Sequence, residues 1–191
     1  GADDETTLKR NTESFSKCDL VPNILASVGE PDLSVKVFGQ KIDMPLFLSP
    51  TAMQRLYHHD GDKASARAAK KFGTFYSMST MATSSIEEIS NISDGPKLFQ
   101  LYIHKDQALT DNLIDRCKSF GFKGLCLTVD TVVAGNRERD HRTGFTTPPK
   151  LTLKSLMSFV AHPTWTINYL THEKFKLANV AHFTKNGSNI A

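Results

Sequence analysis

Four short apolar runs recur along the chain, and a segment with helical periodicity follows each of the first three. The runs begin about 24 to 29 residues apart. They are almost continuously apolar, as parallel strands are when helices cover them. Such a β/α repeat predicts a parallel sheet that is either doubly wound or closed into a barrel. The predicted strands are Pro45–Ser49, Thr74–Met78, Leu98–Ile103 and Leu125–Val129.

Residues suited to capping a helix N-terminus follow each of the first three runs. We expect Asp62 to cap the first helix and Asp106 to cap the third. Ser84 and Glu87 have the spacing of a capping box for the second. The apolar residues expected to share a helix face are Ala64, Ala68, Ala69 and Phe72 in the first helix, Ile86 and Ile89 in the second, and Leu109, Leu113, Ile114, Cys117 and Phe120 in the third.

The segments that flank the repeat have their own patterns. Acidic residues followed by helical spacing predict an N-terminal helix, and two strand-like runs around Gly39 predict a hairpin that plugs the bottom of a barrel. After the fourth run, a proline-containing loop at 146–149 precedes two predicted helices. These helices are expected at roughly Leu153–Val160 and Thr171–Val180.

Polar side chains gather where the apolar runs end. The chain has neither G-x-G-x-x-G nor G-x-x-x-x-G-K-[ST], so the usual nucleotide-binding signals of a doubly wound sheet are missing. In a closed barrel, the carboxyl ends of the strands face one common mouth, where active sites are built. We therefore predict an α/β fold and favour a β/α barrel over a doubly wound sheet. Its site would draw on Thr51, Ser79, Gln100, Tyr102, Thr128 and Asp130.

Five segments carry a family resemblance. They are SPTAMQRLYHHDGD (49–62), STMATSSIEEIS (79–90), KLFQLYIHKD (97–106), GFKGLCLTVDTVVAGNRERD (121–140) and GFTTPPKLTLK (144–154). In this order they closely resemble the FMN-dependent α-hydroxy acid oxidases and dehydrogenases, the family of glycolate oxidase, L-lactate dehydrogenase and oxidase, mandelate dehydrogenase and the flavin domain of flavocytochrome b2. The FQLY and LTVDT motifs are specific when they occur together.

The resemblance implies a role for nine residues, in contact with the flavin, the substrate or a catalytic base. Pro50, Thr51 and Ala52 would bring their backbone close to the flavin ring, and Ser79, Gln100 and Thr128 would hydrogen-bond its polar edge. Tyr102 would contact the substrate carboxylate or hydroxyl, Arg137 would lie in a mobile loop near the substrate, and Asp130 would pair with a catalytic histidine.

The reaction implied by the resemblance converts an L-2-hydroxy acid to the 2-oxo acid while FMN is reduced. The histidine would remove a proton, and Asp130 would raise its basicity and fix its tautomer. Such a pair gives Asp130 a reason to stand at the end of an apolar strand. Met81 occupies a position where glycolate oxidases tend to have tryptophan, which favours lactate or a somewhat bulkier acid. Oxygen, a quinone and a cytochrome stay open as electron acceptors.

Some parts of the family pattern have no counterpart in this sequence. They are the strand lysine near the flavin, the HG-R motif with the catalytic base, and the late loops that hold the FMN phosphate. We therefore expect the C-terminal half of the same enzyme to complete the site, and a homo-oligomer, a tetramer by resemblance. By the resemblance, residues 1–191 would be the N-terminal half of a TIM (β/α)8 barrel, part of a single FMN-binding domain. Residues 1–44 would form the helix and hairpin cap, 45–131 the first four β/α strands, and 132–191 the active-site loop and following helices.

Three other functions fit the residues less well than the enzyme does. A non-catalytic half-barrel that binds a partner or a phosphate-bearing ligand is the alternative, but it gives little reason for the polar strand-end residues to stand together. The run NRERDHR (136–142) alternates acids with bases and lacks an aromatic platform, so nucleic-acid binding is not expected. His58 and His59 beside Asp60 favour a loop and helix cap over a metal site.

Residues 150–191 carry five lysines against one acid, Glu173, with aromatic residues between them. This composition suits contact with a membrane surface, and it also suits a solvated amphipathic segment. The chain has no run of about 18 apolar residues, and its N-terminus lacks the order of a secretory signal. We expect a cytoplasmic protein, peripheral to the inner membrane if 150–191 binds the surface.

Overall fold

The computed structural model describes residues 1–27, 29–130, 135–145, 152–174 and 176–181. These residues divide into two compact units. The helical unit comprises Gly1–Pro31 and Asp130–Thr152, and the sheet unit comprises Asp32–Val129 and Leu153–Ala191. In chain order the described helices are α1 (Thr6–Glu13), α2 (Gly61–Lys71), α3 (Ile86–Ile92), α4 (Gln107–Ser119), α5 (Glu138–Thr143), α6 (Leu153–Ala161) and α7 (Pro163–Thr171).

Polar contacts hold the helical unit together. The predicted N-terminal helix is α1, and Asp3, Asp4 and Glu5 precede it instead of filling its first turn. Glu5 pairs with Arg139 on α5. The Asp3 backbone N–H donates to the Asn136 carbonyl at 2.8 Å. Helix α1 buries none of its residues, so polar contacts and not an apolar core hold it in the unit.

A hairpin opens the sheet unit, as the two runs around Gly39 predict. Strand β1 (Val35–Val37) pairs antiparallel with β2 (Gln40–Ile42). The turn places Phe38 at φ 47° and Gly39 at φ 74°. Two consecutive positive φ values are the signature of the type I′ turn, which suits the twist of a hairpin. Ile42 is buried against Phe75 and Leu98 at the amino-terminal ends of the sheet strands, so the hairpin covers that end of the sheet.

Four parallel strands form the main sheet: β3 (Phe47–Leu48), β4 (Phe75–Ser79), β5 (Lys97–Leu101) and β6 (Gly124–Leu127). They lie side by side in chain order. Each predicted run overlaps a strand, although β4 ends one residue later than predicted and β5 and β6 begin one residue earlier. The prediction of four parallel strands with intervening helices is confirmed. The register sets Ser79 opposite Gln100 and Gln100 opposite Cys126. Polar residues at the strand ends thus come into a row.

The caps of the intervening helices agree only in part with the sequence. Asp106 caps α4 through its carboxylate, which accepts from the backbone N–H groups of the second and third helical residues. The capping box of α3 is formed by Ser85 and Glu88, one residue later than predicted. Asp62 is not a cap. It lies in the first turn of α2, fully buried, and the N-cap position belongs to Asp60.

The main core lies between the sheet and helices α2, α3 and α4. Strands β4 and β5 contribute the largest buried side chains, and a residue of this kind stabilises the fold by about 1.5 to 3 kcal/mol. The predicted faces of α3 and α4 are confirmed, although Phe120 stays partly exposed. The predicted apolar face of α2 is wrong, because Ala66 and Ala69 are buried whereas Ala68 and Phe72 are exposed. The core includes Tyr76, Met78, Phe99, Leu101, Ile86, Ile89, Leu109, Leu113 and Cys117.

Two helices follow the repeat, and the second differs from its prediction. Helix α6 matches the expected position, whereas α7 begins at Pro163 and ends at Thr171. Proline favours the first turn of a helix because it lacks the N–H that would be unpaired there. Beyond α7, residues 178–181 form a turn, in which the Ala178 N–H donates to the Ala82 carbonyl. The predicted loop at 146–149 lies outside the described residues. Among the residues described, no helix is both long and apolar enough to cross a bilayer.

Candidate active site

A row of three polar side chains crosses the carboxyl ends of β4, β5 and β6. Gln100 is central: its Oε1 accepts from Ser79 Oγ at 3.2 Å, and its Nε2 donates to Thr128 Oγ1 at 2.6 Å. Ser79 and Gln100 are buried, and Thr128 is half-buried. The parallel register pairs Ser79 with Gln100 and Gln100 with Cys126. Thr128 lies two residues beyond Cys126, so its side chain is on the same face of the sheet. We refer to Ser79, Gln100 and Thr128 as the polar row.

Thr80 reinforces the row. It is not among the site residues predicted from the sequence. Its backbone N–H donates to Gln100 Oε1 at 3.3 Å, and its hydroxyl donates to the Gln100 carbonyl at 2.6 Å. The same hydroxyl accepts from the Tyr102 backbone N–H at 3.2 Å. Fully buried, Thr80 fixes β4 against β5 where the strands end. The signal in the sequence was the polar run STMATSS, which continues past the predicted end of the strand.

The loop after β3 lies beside the loop after β4. Pro50 and Thr51 are exposed, and Ala52 is half-buried. The Met53 N–H donates to the Met81 carbonyl at 3.1 Å, which joins the two loops. Among the described residues, Thr51 makes its side-chain hydrogen bond to the Ser49 carbonyl, at 3.3 Å, and none to the polar row. The resemblance assigns the backbone of this segment to the flavin, so its exposure is compatible with that role.

Tyr102 follows β5 directly and is half-buried. Its backbone is fixed by the bond to Thr80, whereas its hydroxyl makes no hydrogen bond to another described residue. A phenol held by its backbone and uncommitted at its tip is suited to contact a ligand.

Asp130 and Arg137 belong to the helical unit. Asp130 is exposed. In the sheet unit, β6 leaves Leu125 and Leu127 about half exposed. Arg137 is also exposed and immediately precedes α5. The roles of both residues stay predictions.

Hydrogen-bond capacity indicates what the polar row can bind. A primary amide has two N–H donors, and Gln100 uses one of them on Thr128. The Thr128 hydroxyl accepts that bond and keeps its own proton to donate. The Gln100 oxygen already accepts from both Ser79 and Thr80. The row therefore offers donors at the β5 and β6 ends and suits a ligand edge rich in acceptors.

Comparison with known protein families matches residues 1–189 to the FMN-dependent dehydrogenase model. The chain belongs to the FMN-dependent dehydrogenase family. FMN is therefore the cofactor of its family, and its relatives are oxidoreductases of 2-hydroxy acids.

Curated relatives of the chain include oxidases of different acids. Glycolate oxidase 1 of Oryza sativa subsp. indica is 46% identical over 155 residues, which cover 81% of this chain and 42% of that protein. L-lactate oxidase of a Nostoc species is 44% identical over 160 residues, which cover 82% of this chain and 44% of that protein. The chain thus spans less than half the length of these curated relatives.

Solved structures confirm the fold. The crystal structure of the monotopic membrane protein (S)-mandelate dehydrogenase superposes with a TM-score of 0.86 at 34% identity, covering 95% of this chain and 48% of that one. A mandelate oxidase with 3,3-difluoro-2-hydroxy-3-phenylpropionic acid gives a TM-score of 0.71 at 30% identity, covering 85% and 51%. The four strands and their helices are therefore part of a (β/α)8 barrel.

The donors of the polar row fit the flavin of this family. An isoalloxazine has one polar edge with ring nitrogens and carbonyl oxygens, and an apolar body. The uncommitted Gln100 N–H and Thr128 hydroxyl match the acceptors of such an edge, and the exposed backbone at 50–52 leaves room for a ring to approach.

Proposed function

We propose that this chain contributes the flavin-binding half of an enzyme that oxidises an L-2-hydroxy acid to the 2-oxo acid. The polar row carries the proposal, because an amide flanked by two hydroxyls at the ends of three adjacent strands is an arrangement built for a planar polar ligand. Family membership supplies the cofactor, FMN.

Each predicted site residue has a part in this proposal. Ser79, Gln100 and Thr128 hold the polar edge of the ring, with the backbone of Pro50, Thr51 and Ala52 against its body. Tyr102 contacts the substrate through its uncommitted hydroxyl, and Arg137 attracts the substrate carboxylate. Asp130 accepts a hydrogen bond from the catalytic histidine.

The chemistry removes two electrons and two protons from the hydroxyl-bearing carbon and its oxygen. FMN, when bound, would accept the two electrons and one of the protons. The histidine takes the other proton, and the carboxylate of Asp130 stabilises the imidazolium that results. Because no histidine of this chain lies in the family's catalytic motif, the base comes from the C-terminal half of the enzyme.

For the substrate, we propose lactate or a somewhat bulkier 2-hydroxy acid. Met81 lies two residues after Ser79 and is half-buried. Hydrogen bonds fix its backbone at both the N–H and the carbonyl. A flexible thioether adapts to different apolar groups. The glycolate oxidase relatives make glycolate the competing substrate.

The exposed edge of the sheet supports completion by further strands. Among the described strands, β6 pairs with β5 alone, and its exposed Leu125 and Leu127 would be a liability for aggregation if left open. We propose that the C-terminal half of the enzyme covers this edge and that the complete enzyme is a homo-oligomer, a tetramer.

Helices α6 and α7 support a second element of the proposal, contact with a membrane surface at the cytoplasmic side. Both helices leave several large apolar side chains exposed, and apolar residues exposed beside lysines are typical of interfacial segments. The (S)-mandelate dehydrogenase structure is that of a monotopic membrane protein. The exposed residues are Leu153, Leu156, Met157, Val160, Ile167 and Leu170.

Anaerobic reduction of the flavin tests the proposed reaction. The enzyme that contains this chain, loaded with FMN, is mixed with L-lactate, D-lactate or glycolate, and the visible flavin absorbance is followed. We expect bleaching by L-lactate, slower bleaching by glycolate and none by D-lactate. Stable flavin binding without bleaching by any 2-hydroxy acid would instead favour a non-catalytic binding module.

A further inference from the structure

The loop that leaves β4, Thr80–Ser84, is bonded along its whole length. All five of its backbone N–H groups donate hydrogen bonds within the sheet unit. The first three are taken up locally, by Gln100 and by Ser79. The last two, from Thr83 and Ser84, both go to a residue that precedes them by more than 20 positions, Asp62.

The carboxylate of Asp62 receives four hydrogen bonds. Its Oδ2 accepts from Thr83 N–H at 2.8 Å, Thr83 Oγ1 at 2.5 Å and Ser84 N–H at 3.2 Å. Its Oδ1 accepts from the Tyr76 hydroxyl at 3.3 Å. Burial, together with the charge of Asp62, raises the pKa of Tyr76 well above its ordinary value, so this hydroxyl remains a donor.

A fully buried carboxylate is costly unless donors compensate for the water it has lost. The four donors meet that requirement, but three of them come from the loop and only one from the core strand. Helix packing needs no carboxylate at this place, because Ala66 and Ala69 already supply the apolar face of α2. The hydrogen bonds to Asp62 therefore mainly fix the conformation of the loop.

The loop connects Asp62 with the polar row. Thr80, at one end, binds Gln100 through both its backbone and its side chain, while Thr83, at the other end, binds Asp62. Met81 lies between these two anchors, and its N–H donates to Ser79 Oγ at 3.1 Å. A shift at the Asp62 end would be transmitted to Met81 and to the hydroxyl of Ser79.

We propose that Asp62 is a positioning residue for the flavin and substrate site: it fixes Thr80–Ser84 so that Ser79 and Met81 are presented in one arrangement. This inference rests on the proposed function for its substrate part, and on family membership for its flavin part. It assigns to Asp62 a role in flavin affinity and in discrimination between substrates of different size.

Three variants of the FMN-loaded enzyme test the proposal. Asp62→Ala removes all four acceptor contacts. Asp62→Asn keeps an acceptor oxygen for the loop and can donate to the Tyr76 oxygen, so it should rescue most of the loss. Tyr76→Phe is the matched control, because it removes a hydrogen bond to the same carboxylate and leaves the three loop bonds intact.

The FMN dissociation constant, the kcat/KM ratio for glycolate over (S)-mandelate, and the Tm are measured for each variant. We expect Asp62→Ala to weaken FMN and to change the substrate ratio, each by about tenfold or more, since displacing a site by about 1 Å has large kinetic effects. Asp62→Asn and Tyr76→Phe should stay within about threefold of the wild type in both quantities, even where the Tm falls.

The proposal would be overturned if Asp62→Ala lowered the Tm but left the FMN dissociation constant and the substrate ratio within twofold of the wild type. It would also be overturned if Tyr76→Phe changed these two quantities as much as Asp62→Ala does. If Asp62→Ala does not fold, Thr83→Val, which deletes only the 2.5 Å bond, must move both quantities in the expected direction or the proposal fails. Flavin affinity is measured without turnover. It therefore decides the role of Asp62 even if the wild type oxidises no 2-hydroxy acid and the proposed function fails.

Discussion

Arg116 on α4 holds Glu87 on α3 through two parallel hydrogen bonds, Nε to Oε1 and Nη2 to Oε2, each 2.7 Å long. Two-pronged pairs of this kind are the strong form of the charged hydrogen bond. The hydrogen bonds from Arg116 lower the pKa of Glu87 from 4.5 to about 2. Two helices that both pack on the sheet are thereby joined to each other.

Glu87→Gln should reduce stability and change its dependence on pH. Because the folded pKa lies below the unfolded one, the pair stabilises fully above about pH 4.5 and loses this effect as the pH falls towards 2. Partial exposure of Glu87 limits the loss to about 1 kcal/mol at neutral pH. Urea unfolding at several pH values measures it. Asp115→Asn, in the exposed pair with Lys118, is the control and should leave the curve unchanged.

Asn179→Ala should be more destabilising than its position near the end of the described chain suggests. Asn179 is buried; its Oδ1 accepts from Ile86 N–H at 3.0 Å and its Nδ2 donates to the Ser84 carbonyl at 3.2 Å. Removal leaves both backbone groups unpaired, which costs about 2 to 3 kcal/mol. Thermal and urea unfolding report the loss. Exposed Asn91→Ala serves as the control, and equal stabilities of the two variants would contradict the role of Asn179.

Gln100→Leu should weaken FMN binding by about tenfold or more, because the row loses both its central donor and the acceptor that orders Ser79 and Thr80. Titration of flavin fluorescence measures the dissociation constant. Gln107→Leu, on the exposed surface of α4, makes the same chemical change away from the row and should bind FMN normally. A Gln100 variant with wild-type affinity would remove the polar row from the cofactor site.

Asp130→Asn should lower turnover by about a hundredfold to ten-thousandfold while FMN stays bound, since the carboxylate is proposed to support the catalytic base and not the flavin. Steady-state kinetics and the bound-flavin spectrum are measured together. Exposed Asp19→Asn controls for the loss of one negative charge. Unchanged turnover would exclude Asp130 from the mechanism.

Leu156→Glu combined with Val160→Glu should reduce binding to vesicles that contain anionic lipid, because both side chains are exposed on α6 and would enter the interface. Co-sedimentation measures the bound fraction. Ser158→Glu adds a charge to the same helix without removing an apolar group, and it should have the smaller effect. Equal binding of the wild type, the double variant and Ser158→Glu would count against membrane contact through α6.

The strand order and the polar row could be predicted from the sequence because each depends on local patterns. The apolar runs predict the strands, and the register of a parallel sheet then sets Ser79 opposite Gln100. Thr128, just past the end of β6, reaches Gln100 through its side chain. The capping box was displaced by one residue because Ser84 and Ser85, like Glu87 and Glu88, fit the motif in two frames. Burial of Ile86 and Ile89 selects the frame that begins at Ser85.

Contacts between distant parts of the chain could not be predicted in this way. Asp62 has the composition and position of a helix cap, and only the fold brings it to Thr83, 21 residues away. The sequence predicts a helix over Thr171–Val180, but the backbone beyond α7 bonds to the loop after β4. Nothing local to either segment reveals that partner.

Helix α3 has only seven residues, fewer than the ~12 that an isolated helix needs to persist in water. Its first turn is fastened from three sides, by Ser85, by Arg116 and by Asn179. Opening of this helix should therefore require release of the segment at 176–181. The rate of amide hydrogen exchange in Ile86–Ile92 would then report how often that distant segment detaches.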